Sequence, residues 1–464
     1  MKPDTNPSRR AFLKRASALS IAGAAAPWAL NLAAMADASA AGASDYKAMV
    51  CIFLYGGNDY ANTVVPYDAA SYNTYQAMRP SFAHARANLD ATVLKPDTAP
   101  LDMAGAAHQY ALAPGLAPLL PLFDSGKLGV LMNIGTLIGP TTRLQWNNKS
   151  VKLPAKLFSH NDQQSTWQSS APEGALSGWG GRIGDLFEAG NANSTFTCVN
   201  VSGNAIFMTG AAAVQYQVST NGSVPLSALK SPLFGSSAAT EALRTLITQP
   251  RTHLLENEYN RVARRSVDAN STLTSALASG RTLATPFPPA NNLGDQLNMV
   301  ARMIAAAPAL GVKRQVFFVS LGGFDLHDKM AATHPVLMKT VADAMATFYA
   351  STVELGVADS VTSFTASDFG RTMTGNNDGS DHGWGSMHFV MGGAVKGKQL
   401  YGTAPVVANG GPDDVGQGRL LPTTSVDQLA ATLGKWMGVS DSALLTMLPN
   451  LSNWDATRRT LGFV

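Results

Sequence analysis

Val316-Phe317-Phe318-Val319-Ser320-Leu321-Gly322-Gly323-Phe324-Asp325-Leu326-His327 is the stretch on which the fold turns. Four apolar or β-branched residues run into a Gly-Gly break, which is the pattern of a central parallel strand covered on both faces. In sheets of that kind, ligands bind beyond the carboxyl ends of the strands. The two glycines permit close backbone approach and unusual φ. Asp325 and His327, two residues apart, can then aim a carboxylate and an imidazole into one crevice. The same grammar occurs earlier, where the apolar run 49–55 ends in Gly56-Gly57-Asn58-Asp59. One such copy reads equally well as a plain turn, since Gly, Asn and Asp populate turns for backbone reasons. Two copies, with further acid and histidine clusters after later apolar runs, point to a site.

Outward from these strands the chain keeps a βαβ rhythm. Residues 66–80, rich in Tyr, Asn and Ser, read as a loop over the sheet edge, 115–126 as a short amphipathic helix and 127–135 as a second buried strand. Ser159 or Asn161 caps a helix running toward Trp167. A serine there faces unpaired N–H groups and the positive end of the helix dipole, a place that suits a nucleophile, an anion or an ordinary cap. Residues 178–188 read as helix and 194–202 as strand. From 203 to 250 the composition shifts to Ala, Ser, Gly and Thr, within an expected insertion or small subdomain over about 203–290 able to cover the site, with a long helix over 252–283. Leu293, Leu297, Val300, Ala301 and Ile304 form a helical stripe for core packing. After the organising strand come a helix over 334–355, a strand over 360–366 ending in Ser367-Asp368-Phe369-Gly370-Arg371, a Gly-rich loop over 376–385 holding Asp381 and His382, a strand from His388, and a helix over 427–437.

The 464 residues, 45% hydrophobic and 14% charged, exclude a disordered chain. The formal charge of +3 comes from the first 40 residues, whose five cations face two anions; the remainder is balanced, with no basic footprint for nucleic acid. Ser8-Arg9-Arg10-Ala11-Phe12-Leu13-Lys14, an Ala-rich apolar run and Ala38-Ser39-Ala40 form a twin-arginine export signal over residues 1–40, with cleavage near Ala41. The implied partner is the twin-arginine translocase, the destination the periplasm or beyond. No later stretch reaches the ~18 unbroken apolar residues of a membrane span. Cys51 and Cys198 fall inside apparent strands and read as buried thiols.

The collected groups are Asp59, Asp325, His327, Asp368 and His382, with Ser159 as a hydroxyl nucleophile. Mixed carboxylate and imidazole ligands suit zinc first, with manganese and calcium as the other candidates. The twin-arginine start, Phe-Leu-Tyr-Gly-Gly-Asn-Asp, Ser159-His160, Ser-Leu-Gly-Gly-Phe-Asp-Leu-His, Ser-Asp-Phe-Gly-Arg and Asp-His-Gly-Trp-Gly together resemble the bacterial domain-of-unknown-function family 1501. That family is grouped with the alkaline phosphatase and sulfatase superfamily. The resemblance implies a doubly wound, mostly parallel α/β sheet with helices on both faces over residues 41–464 and divalent metal at the strand ends. It also implies Asp59, Asp325, His327, Asp368 and His382 as ligands and Ser159 as nucleophile. Phe369 departs from it, standing where the superfamily often has a histidine, and the Asp325/His327 spacing is tighter than usual. The expected function is hydrolysis of phosphate or sulfate esters, small or polymer-borne, with Arg371 clamping the nonbridging oxygens or forming a plain salt bridge. The alternative is a non-catalytic periplasmic binding or assembly protein on the same fold.

Changing both Arg9 and Arg10 to Lys is expected to hold the protein in the cytoplasm. Cell fractionation checks this, and normal periplasmic accumulation of the double variant would refute the export signal.

Overall fold

The computed structural model describes residues 45–464; the stretch expected to be an export signal, residues 1–40, lies outside them. The strands are β1 (Lys47–Leu54), β2 (Val64–Pro66), β3 (Tyr110–Leu112), β4 (Leu128–Gly135), β5 (Cys198–Asn200), β6 (Tyr216–Ser219), β7 (Gly222–Ser223), β8 (Arg314–Leu321), β9 (Val361–Ser367), β10 (Arg371–Gly375), β11 (Ser380–His382), β12 (Ser386–Gly392), β13 (Leu400–Tyr401) and β14 (Thr424–Ser425). Ten of them form one sheet in the order β13-β4-β12-β9-β1-β8-β5-β6-β7, with β14 on β4. β1 lies between β9 and β8 and is parallel to both, and β5 and β6 continue the parallel set. β12 alone among the inner strands runs antiparallel to its neighbours, β4 and β9.

The helices used below are α1 (Ala69–Met78), α2 (His160–Ser169), α3 (Trp179–Phe187), α4 (Ser237–Thr248), α5 (Leu254–Ser279), α6 (Asn292–Ala305), α7 (Met330–Glu354) and α8 (Val426–Met437). β1 shows why its sequence lacks polar alternation. Ala48, Val50, Ile52 and Leu54 pack with α6 and α7, whereas Met49, Cys51 and Phe53 pack with α3 and α8. Both faces of the strand are therefore core, and each buried Val, Leu or Phe contributes about 1.5–3 kcal/mol, so no position tolerates a polar residue. This is the doubly wound α/β arrangement expected from the sequence.

Register then places the strand ends. Leu54 lies opposite both Leu321 and Ser367, so the residues that follow β1, β8 and β9 emerge side by side at one edge. Gly56, at φ +117°, is required there, because a Cβ would overlap the backbone nitrogen of Asp325. Gly56 N also donates to Asp368 Oδ1 at 3.2 Å.

Residues 66–80 contain α1 rather than a loop. Asp68 caps it through Ser71 N at 2.9 Å, and Tyr72 and Tyr75 bury one face, with Tyr75 donating to Asn62 Oδ1 at 2.6 Å. The helix expected over 115–126 is a 3-10 segment, Pro114–Leu119, followed by a short α-turn, Leu120–Asp124. The loop expected over 376–385 is largely the β10–β11 hairpin, in which Arg371 pairs with His382. In the insertion, α4 and α5 form a helical pair at the β7 edge, and Ala269, Leu273 and Ala276 of α5 join the main core. Cys51 and Cys198 are buried and unbridged, and burial pushes both thiols up. Among the described residues no helix is long and apolar enough to cross a membrane.

Gly56→Ala is expected to cost the about 1–3 kcal/mol of backbone strain and a further amount for displacing Asp325. Gly105→Ala, at φ +84° with no atom within 4 Å of the new Cβ, carries only the strain. Urea unfolding of the two variants checks this; equal losses would mean that the turn has room.

Candidate metal centre

Four segments meet at this edge: the turn after β8, the residue after β9, the open end of the β10–β11 hairpin and the first turn of α2. Asp325 is fixed by Arg371, whose Nη1 donates to its Oδ1 at 2.8 Å. Burial raises the Asp325 carboxyl, but the Arg371 hydrogen bond and charge override it and hold the group below the usual carboxylate range. Arg371 itself is fully buried, with Nη1 also on Gly56 O at 3.0 Å, Nε on Ser380 Oγ at 3.0 Å and Nη2 on Ser380 O. A guanidinium enclosed in this way orients Asp325.

The histidine tautomers follow from their partners. His382 Nδ1 lies 2.8 Å from the Phe158 carbonyl, which can only accept, so that nitrogen carries the proton and Nε2 presents a lone pair. His160 Nδ1 lies 2.6 Å from Asp368 Oδ2 and donates to it, so Nε2 of the neutral ring is again the lone pair. His327 Nδ1 faces Asp381 Oδ1 at 3.3 Å. The Nε2 atoms of His327 and His382 are 3.0 Å apart and lie 3.1 and 3.2 Å from Asp325 Oδ1. His160 Nε2 is 3.3 Å from Asp325 Oδ2, yet is buried without a hydrogen-bond partner.

With the rings neutral, three imidazole lone pairs thus converge on a carboxylate whose one donor is Arg371, and none of the four groups donates to another. Left as it stands, this is an arrangement of mutually facing acceptors that costs free energy; a cation in their midst satisfies all of them. Backing each ring through Nδ1 with a carboxylate or carbonyl is how proteins orient metal-binding histidines. The tightest group comprises His160, Asp325 and His382, whose ligand atoms lie within 4.8 Å of one another, and His327 adjoins it. The Asp368 hydrogen bond raises the pKa of His160, while burial lowers that of His382.

The remaining predicted residues are placed differently. Asp59 is not brought to the centre: it is fully buried, ion-paired with the equally buried Arg79 at 2.6 Å, and accepts from Ala61 N at 3.3 Å. Asp368 stands behind His160 rather than among the converging atoms, its Oδ2 accepting from His160 and from Gln164 Nε2 at 2.8 Å. Ser159 is the N-terminal residue of α2, but its hydroxyl donates to Asp162 Oδ2 at 2.9 Å instead of capping the backbone. His160 was passed over in the sequence, although Ser159-His160 is part of the motif and the helix N-terminus had been located. Phe369 packs against the rings of His160 and His382 at centroid distances of 4.9 and 4.6 Å, so it wedges two of the histidines. Arg419, unmarked in the sequence, donates Nε to His382 O at 2.7 Å and lies over the Phe158 ring.

Among curated proteins none matches the sequence. Similar solved structures include a Bacteroides thetaiotaomicron protein of glycosaminoglycan metabolism (10% identity, 86% of this chain and 74% of that one, TM-score 0.33). Others are the lipoteichoic acid synthase LtaP from Listeria monocytogenes (8%, 88% and 78%, TM-score 0.32) and the C-terminal periplasmic domain of EcEptC from Escherichia coli in complex with Zn (12%, 86% and 84%, TM-score 0.32). A model of the family described as "Protein of unknown function (DUF1501)" matches residues 46–454, and the chain belongs to that family.

Proposed function

We propose that this chain is an exported, metal-dependent hydrolase of phosphate or sulfate esters. The observation that carries the metal is the convergence of the His160, His327 and His382 Nε2 atoms on Asp325, with His160 Nε2 buried and without a hydrogen-bond partner. An imidazole-rich set with one carboxylate favours zinc over manganese and disfavours calcium, which takes oxygen ligands. Bound there, a divalent ion supplies positive charge to the nonbridging and leaving oxygens of an ester. The ester class itself is supported by the family resemblance and by the position of the centre at the carboxyl edge of a parallel sheet.

The chain's own residues take the following roles. Ser159 is the nucleophile; its proton points toward the Asp162 carboxylate, which orients the hydroxyl. Arg371 holds Asp325 in place. Arg419, partly exposed beside His382, takes the oxyanion-clamping role first assigned to Arg371. Asp368 fixes the tautomer of His160, and Asp59 with Arg79 braces the turn after β1.

Protein purified without chelator is expected to carry a transition metal. His160→Ala and His382→Ala should each weaken metal binding by more than the about 10 to 100-fold seen for loss of an outer partner. Asp59→Ala should destabilise the fold by about 3–5 kcal/mol, because Arg79 is left buried and unpaired, while metal stoichiometry is unchanged. Metal analysis with thermal unfolding reads all three, and a wild type that takes up no metal would sink the reading.

Ser159→Ala should cost less than the about 0.5–2 kcal/mol of a lost cap, because its hydroxyl is not the cap, and should abolish hydrolysis of a responsive aryl phosphate or sulfate with metal retained. Retained turnover would transfer the attack to water. Metal bound without turnover on either ester class would favour the non-catalytic binding protein.

A further inference from the structure

Away from the centre, between the C-terminal end of α2 and the N-terminus of α8, lies a cavity of about 270 Å³. Its walls are mainly apolar, with Leu137, Leu153, Pro154 and Pro172 among them, and Asp427 lies in its lining. The Asp427 side chain is almost wholly buried, with the residue 3% exposed. Its hydrogen bonds are long: Ser170 Oγ to Oδ1 at 3.3 Å and Asn450 Nδ2 to Oδ2 at 3.5 Å.

An acidic residue in the first turn of a helix is usually explained by the helix dipole and the need for a cap. Here the cap is already complete. Ser425 Oγ accepts from Asp427 N at 2.9 Å, and the Gln428 side chain accepts from Ser425 N at 2.8 Å. The nearby guanidinium of Arg182 gives its Nη groups to the carbonyls of Met447 and Ser169, leaves Nε buried without a partner, and acts on Asp427 through its charge with no hydrogen bond to it. Asp427 therefore places an under-satisfied carboxylate in an apolar hollow, and burial pushes it up to about 6. A buried carboxylate without a strong donor is costly, and a cationic donor entering the cavity removes that cost.

We propose that this cavity binds a small molecule with a primary ammonium head on a short aliphatic body, the ammonium on Asp427 and the alkyl chain against Leu153 and Pro154. The inference rests on the cavity and is independent of the hydrolase reading. Lys152, exposed at the rim, is the one competitor in the lining, since its own amine could swing inward.

The test is titration of the full-length mature protein with n-butylammonium and with its uncharged isostere n-butanol, followed by calorimetry and thermal shift, with and without chelator. Saturable butylammonium binding is expected, at least about tenfold tighter than butanol, as one charge-assisted hydrogen bond implies, and unaffected by chelator. Asp427→Asn should erase that preference. Should Asp427→Asn fail to fold, Ala155→Phe, a substitution at the exposed rim, should block binding in a folded protein. Equal binding of the two probes, or binding that survives Ala155→Phe, overturns the proposal. So does binding that appears only in Lys152→Met, which would make Lys152 the occupant.

Discussion

Asp368 is a carboxylate with no exposure to solvent, and it accepts three hydrogen bonds from two separate parts of the chain: Gly56 N after β1, and from α2 both Nδ1 of His160 and, one turn on, Gln164 Nε2. A buried charge is tolerated only when it is surrounded by donors. Strand pairing already sets β1 beside β9, and satisfying Asp368 then fixes the first turn of α2 against their ends in one geometry. His160 inherits its position, its tautomer and the aim of Nε2 from that constraint.

A second clasp, built on a cation, closes the other side. Arg371 joins Gly56 O, the Ser380 backbone and hydroxyl, and Asp325, tying the β1 turn to the β8 turn and to the hairpin that carries His382. Gly56 belongs to both clasps, donating through its nitrogen to Asp368 and accepting through its oxygen from Arg371. A side chain there would separate two halves of the site that meet over a single residue, which is why the close approach needs glycine.

The long strands were legible because burial on both faces leaves an unbroken apolar run, and the Gly-Gly breaks marked where β1 and β8 end. α1 was not legible, because the tyrosines that bury its inner face look polar in composition, and the contacts of Tyr72 and Tyr75 are tertiary. Among the site groups, Asp325, His327 and His382 are brought together, the first two from a strand end and the third from the segment read as a Gly-rich loop. Asp59 misled for a physical reason: a Gly-Gly-x-Asp turn specifies where a carboxylate leaves the sheet but not which way it points, and Arg79, 20 residues later, captures it inside. Arg371 misled similarly, since sequence cannot distinguish an arginine facing solvent from one enclosed by carbonyls. His160 was hidden by the serine before it, whose place at a helix N-terminus drew the chemical reading.

Charge completes the argument for what the centre holds. Asp325, Asp368 and Asp381 face one another across three imidazoles that donate through Nδ1 and are therefore neutral when Nε2 is bare, and Arg371 offsets only one of the three acids. Such a set carries an excess of negative charge in a partly buried place, where like charges repel strongly. A divalent cation, as proposed, would cancel that excess. With Arg419 at the rim it would leave the mouth of the site positive, a field suited to an anionic ester over a cationic one.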